Sequence, residues 1–126
     1  MSSGEAIGEV LQFVDRYIES IEQLEILLLL ADNERPWKSS EILQKVQSSQ
    51  ASVEQRLAAL KTSKFVVEDS AGVFRFAPED QKIRESIHAL AETYRERRVR
   101  IIEAIYSRKT DSVQTFADAF RFKRKD

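Results

Sequence analysis

No cysteine occurs in the 126 residues. Disulfides, thiol catalysis and cysteine-ligated metal sites are excluded, and a reducing cytoplasm fits. Histidine occurs once, at His88, so no second imidazole stands at metal-ligand spacing. The three glycines, Gly4, Gly8 and Gly72, form no loop that could cradle a phosphate. Long apolar runs are missing too. The longest, Ile26 to Ala31, falls far short of a membrane span. The start, MSSGEAIGEV, has neither a basic region nor a long apolar core, so a secretory signal is not expected. Serines are absorbed by caps and turns, and carboxylates spread along solvent faces without an acid–base pair. The expectation is a cytoplasmic protein that is not an enzyme, with no cofactor, no metal and no membrane partner.

What is present is a foldable mixture. Hydrophobic residues make up 42% and charged residues 33%, too apolar for disorder and too charged for a membrane protein. The length suits one domain with a real core. The net charge of −1 hides an asymmetry. Residues 1–94 carry 10 Lys/Arg against 16 Asp/Glu, or −6, whereas residues 95–126 carry 10 against 5, or +5. A polyanionic partner would favour the C-terminal third, unless that charge is only a solvated helix face and a basic tip.

Glu5 to Glu19 reads as a helix, with Ile7, Val10, Leu11, Val14, Tyr17 and Ile18 at helical spacing and Phe13 widening the stripe. Ser20 and Gln23 have capping-box spacing ahead of IEQLEILLLLADN, a nearly all-round apolar helix stopped near Asp32-Asn33 and blocked by Pro36. Trp37 should plug the core edge. Ser39 or Ser40 should cap a short helix, Glu41 to Val46, with Ile42, Leu43 and Val46 inward. Gln47-Ser48-Ser49-Gln50 is a turn, and Ser49 can cap a helix from about Ala51 to Thr62. Val53, Leu57 and Leu60 form its buried edge. Ala51, Ser52, Gln55, Ala59 and Thr62 lie opposite, with Arg56 on the flank. Lys64–Glu68 and Val73–Phe76 are β-branched and aromatic runs joined through Ser70-Ala71-Gly72, a hairpin.

Pro78 should begin a helix running from Glu79 to Tyr106, roughly 40 Å at 1.5 Å per residue. Ile83, Ile87, Leu90, Tyr94, Ile101 and Ile105 make a heptad-like seam, skipping Arg97 where an apolar residue is expected. Such a seam suggests a homodimer, or a helix packed along its own domain. Beyond it, Val113, Phe116, Ala117 and Phe120 fall at i, i+3, i+4 and i+7, the anchor spacing of a helix in a groove. That groove could belong to the same subunit, a dimer mate or another protein.

The whole reads as mainly α with a small β-hairpin: a winged helix-turn-helix with an N-terminal helix and a long C-terminal helix. Its segments are 1–19, the N-terminal helix; 20–78, the winged domain; 79–108, the dimerisation helix; and 109–126, a basic tail containing phenylalanines.

SSQASVEQRLAALKTSKFVVEDSAGVFRFAP resembles the recognition helix and wing of bacterial winged-helix regulators of the MarR type. The resemblance covers about Ser20 to Pro78 and lies in Ser52-Val53, Leu57, Leu60 and Lys64-Phe65-Val66. It implies a DNA-binding transcriptional regulator whose second helix enters the major groove. On that reading Ser52, Gln55 and Arg56 read bases, while Lys61, Lys64 and Arg75 contact phosphates of double-stranded DNA. Two features depart from it. The wing tip is acidic, with Glu68-Asp69, and residues 20–78 carry 7 Lys/Arg against 8 Asp/Glu, or −1. Basic arms, Arg95, Arg97, Arg98 and Arg100 with Arg121, Lys123, Arg124 and Lys125, would compensate. The alternative is a protein-interaction module using the wing face or the tail. Dimer clefts between long helices often hold small effectors, and Trp37, Tyr94 and Tyr106 could line one, though the sequence identifies no effector.

Overall fold

The structure is a computed structural model that describes residues 3–107, with side chains from Ile7 onward. Among the described residues the order is α1 (Ser3–Tyr17), α2 (Ile21–Asp32), β1 (Trp37–Lys38), α3 (Ser39–Val46), α4 (Gln50–Thr62), β2 (Val66–Ser70), β3 (Val73–Phe76) and α5 (Gln81–Glu96). A sixth helix, α6, covers 98–107. The architecture is the expected mainly helical winged helix. No helix is long and apolar enough to cross a membrane.

α2 organises the core. Leu24, Ile26, Leu27, Leu28, Leu30 and Ala31 are buried around most of its circumference, and it packs against α3, α4, α5 and β3. Removing that much apolar surface from water outweighs any propensity term. The Ser20 hydroxyl accepts the Gln23 N–H, as the capping-box spacing suggests. The Gln23 side chain reaches one residue further than expected. Its Oε1 accepts from the Glu19 N–H at 2.6 Å, and its Nε2 donates to the Tyr17 carbonyl. These bonds satisfy the one polar side chain buried in the core of the described residues.

The wing sheet has three strands rather than the two of a hairpin. Its order is β1-β3-β2, all antiparallel, with Trp37 opposite Phe74 and Lys38 opposite Val73. Trp37 is buried and its Nε1 donates to the Asn33 carbonyl, closing the chain around Pro36. The α3 cap also differs from expectation. Neither Ser39 nor Ser40 caps it. The helix starts after Lys38, whose N–H donates to the Glu41 carboxylate. Extending β1 to Lys38 moves the cap back, and Ser39 is left to donate its N–H to the Gly72 carbonyl.

α4 ends in a Schellman motif. The Phe65 N–H donates to the Leu60 carbonyl and the Lys64 N–H to that of Lys61, while Phe65 and Leu60 are both buried. The residue in the left-handed region is Lys64, at φ 66°, where glycine is ordinarily found. Its ion pair with Glu79 is 3.7 Å long and exposed on both sides, so it contributes little. Lys64→Gly is therefore expected to stabilise the fold by about 1 kcal/mol, raising Tm by ~3–5 °C in a thermal melt.

The long C-terminal helix is not continuous. α5 is capped by Asp80, starts at Gln81 and ends at Glu96. Arg97 leaves the helical region at φ −133°, ψ 53° before α6 begins. The residue that interrupts the apolar spacing is the residue at which the helix breaks. The turn lets Ile101 and Ile105 join the same buried cluster as Ile87, Leu90 and Tyr94.

Candidate nucleic-acid interface

The side chains assigned to base and phosphate contact stand on α4 and the wing. Ser49 holds the start of α4, its hydroxyl accepting the Ser52 N–H at 3.1 Å. Val53, Leu57 and Leu60 face inward and are buried, as their spacing requires. The exposed face is rotated slightly from the expected one. Ala51, Glu54, Gln55, Ala58, Lys61 and Thr62 are exposed, whereas Ser52, Arg56 and Ala59 are half-buried. Glu54 and Ala58 were not among the residues read from sequence. They sit on the flank away from Arg56, between the buried edge and the strip opposite it, so a wheel that marks only the opposite strip passes over them.

Four of the six assigned side chains already hold a carboxylate, and a fifth shares one. The Glu22 carboxylate on α2 accepts from the Ser52 hydroxyl and from Arg56 Nε at 3.2 Å. Lys61 Nζ lies 2.9 Å from Glu68, and Lys64 Nζ lies 3.7 Å from Glu79. Arg75 donates through Nε and Nη2 to both oxygens of Asp69, at 2.9 and 3.2 Å, a bidentate fork. Gln55 alone makes no side-chain hydrogen bond among the described residues. Glu22 had no role in the sequence reading. It lies 30 and 34 residues from its two partners, beyond any local pattern.

The wing carries its own charge trap. A bulge between Glu68 and Ser70 leaves Asp69 out of the β2–β3 ladder, within reach of Arg75. Gly72 turns the strand at φ 78°, and its N–H donates to Glu68 at 2.8 Å. That N–H, then Lys61, holds the Glu68 carboxyl below its ordinary 4.5. Arg75 holds Asp69 below 3.8. At Glu22 burial alone pushes the pKa up, but hydrogen bonding to Ser48, Ser52 and Arg56 outweighs it and the net direction is down.

A carboxylate lowered by folding contributes stability that is complete above its unfolded pKa and lost as pH falls through its folded one. All three shifts therefore act on the acid side. Tm is expected to be flat down to about pH 5 and to fall below that, with a shallower fall in Glu22→Gln, as measured by circular dichroism.

The residues assigned to the pairing seam lie elsewhere. Ile87, Leu90, Tyr94, Ile101 and Ile105 are buried within the single chain, and Ile83 is half-buried against the same core. They are covered without a second copy. What α6 leaves exposed is Val99, at 68%, and Tyr106, at 57%, with Ile102 half-buried one turn from each. The tail residues Val113, Phe116 and Phe120 lie outside the described residues, as do Arg121, Lys123, Arg124 and Lys125. Of the residues expected to line an effector cleft, Trp37 is in the sheet and Tyr106 is exposed. The Tyr94 hydroxyl sits 3.3 Å from Glu25, and burial, then the Glu25 charge, pushes its pKa up. His88 is exposed, edge-on to the Phe76 ring at 5.9 Å.

No family model matches the chain, and no curated protein matches it. Among solved structures it is similar to the multiple antibiotic-resistance repressor (MarR) from Listeria monocytogenes 4b F2365, with a TM-score of 0.52 and 11% identity. The match covers 95% of this chain and 84% of that one. At that identity the likeness shows the fold alone.

Proposed function

We propose that this chain is a winged-helix regulator of transcription that lays α4 in the major groove of double-stranded DNA and acts as a homodimer. The observation that carries this reading is the exposed face of α4. Ala51 and Ala58 keep it low enough for close approach, and the uncommitted Gln55 amide has the geometry to pair with adenine N6 and N7. Glu54 adds an acceptor suited to cytosine N4. In a dimer, two such helices would read half-sites about 34 Å apart. Val99 and Tyr106, with the half-buried Ile102 between them, offer apolar surface for pairing.

The ion pairs set the terms of binding. Each cation must leave its carboxylate for a phosphate, so affinity is an exchange between two anions rather than a gain from a free charge. Binding should be weak at physiological salt and fall steeply as salt rises. The test is selection of bound fragments from genomic DNA, followed by gel shifts. Gln55→Ala is expected to weaken the selected site by about 1–3 kcal/mol while leaving non-specific binding unchanged. No shifted species at low salt and micromolar protein would sink the reading.

The acidic wing tip favours a second reading. Glu68 and Asp69 present carboxylates beside α4, which suits a basic protein partner better than DNA. The two readings give opposite signs for one variant, taken up in the Discussion.

A further inference from the structure

Among the ion pairs of the assigned cations, one differs from the other three. Lys61, Lys64 and Arg75 keep between 42 and 69% of their side chains exposed, so water can release each of them to a phosphate. In the fourth pair both partners are largely covered, Arg56 at 28% exposure and Glu22 at 23%. Glu22 stands on α2, the helix that organises the core. Its carboxylate gathers three donors from the helix-turn-helix. They are the Ser48 hydroxyl in the turn, the Ser52 hydroxyl in the first turn of α4, and Arg56 Nε at 3.2 Å one turn on. Direction explains the grouping. At about 100° per residue, Ser52 and Arg56 share the side of α4 that turns toward α2, while Ala51, Gln55 and Thr62 point outward. Pulling Arg56 away would strip a largely covered carboxylate of its cation and break a charge-assisted hydrogen bond.

We infer that Glu22 is a specificity-determining residue that withholds Ser52 and Arg56 from the bases, leaving the readout to Gln55 and Glu54. This rests on the DNA reading of α4 given above. A free arginine on this flank would favour guanine, whose N7 and O6 accept its two-pronged donor. Held by Glu22, Arg56 instead fixes the roll of α4 about its own axis. The choice of base then falls to the neutral and acidic side chains of the exposed face. Glu22 touches no DNA in this scheme. It is a positioning residue that acts through the helix it holds.

The test selects bound sequences from a random duplex library with four full-length proteins: the parent, Glu22→Ala, Arg56→Ala and the double variant. The parent and Arg56→Ala are expected to enrich one and the same site. Glu22→Ala should add a guanine preference of about tenfold at one position of each half-site, and the double variant should lose it. A tie that merely stabilised the fold, or a charge that merely repelled phosphate, would alter affinity for all sequences alike. Thermal melts of the same four proteins need no DNA. Each single change should lower Tm by about 3–5 °C, and the double by no more than the larger single. Three results would each overturn the inference and leave the DNA reading standing: an Arg56→Ala site that differs from the parent's, a Glu22→Ala site that does not, or Tm losses that simply add. If none of the four proteins enriches any sequence, the inference falls together with the reading it rests on.

Discussion

Glu68→Gln combined with Asp69→Asn is expected to tighten DNA binding by about ten- to a hundredfold at low salt. The geometry supplies the reason. Lys61 stands on the exposed face of α4 and Arg75 on the wing strand β3, and each is held at 2.9 Å by one of these two carboxylates. Neutralising the pair removes two negative charges from the wing and frees two cations for phosphate. Each added phosphate contact steepens the dependence of log K on log salt by about 0.9, so the slope should grow by about 2 per subunit. Asp69 is exposed and its ion pair lies at the surface, whereas Glu68 is half-buried and also accepts the Gly72 N–H, so a modest loss of stability, carried by Glu68, should accompany the variant. Gel shifts across a salt series check the slope and the affinity together. A module that recruits a basic protein through the wing behaves in the opposite way, since the variant strips the charge its partner needs. Unchanged DNA affinity would remove the wing from the interface.

Leu57→Ala is expected to cost about 2–5 kcal/mol. Leu57 is fully buried, at 0% exposure, on the edge of α4 that also carries Val53 and Leu60. That edge meets α2, α3 and β2, three elements that approach from different directions. A cavity there cannot be closed by moving one neighbour. A domain of this size has roughly 5–15 kcal/mol of stability, so a large fraction goes at once. Tm should fall by about 10–20 °C, with the urea m-value unchanged. Ala58→Ser, one residue on and exposed, should stay within about 0.5 kcal/mol of the parent. A small loss at Leu57 would mean that α4 does not seat on α2 as described.

How much of this was legible in the sequence depends on how far apart the interacting residues are. The Ser49 cap and the Val53, Leu57, Leu60 edge were readable because their partners lie within a few residues. So were the all-round apolar α2 and the Gly72 turn. Strand β1 was not, since two residues carry no period and their partners, Phe74 and Val73, lie more than thirty residues on. The Glu22 contact with Ser52 and Arg56 was invisible for the same reason. Arg97 marks an intermediate case. The skipped apolar position was visible, but spacing alone cannot separate a polar residue inside a helix from a break in it. That ambiguity also governed the seam. Ile101 and Ile105 look like a pairing surface on a straight helix and become core once the chain turns. The cations assigned to phosphate and base contact are visible in the sequence one by one, while the carboxylates that hold them arrive from other parts of the chain.

The short strand β1 has a kinetic consequence. Its pairing with β3 closes a loop over the 34 residues from 39 to 72, which contains α3, α4 and β2. Closing such a loop costs about 3 kcal/mol of chain entropy. Two residues of ladder cannot offset that alone. β1 can therefore join the sheet only once the enclosed helices have already brought its ends together. The β2–β3 hairpin has no such debt and is free to form early. Folding should thus proceed from helix pair and hairpin to the closing strand. In native-state hydrogen exchange, the β1–β3 amides should open together with α4 rather than with the tip of the wing.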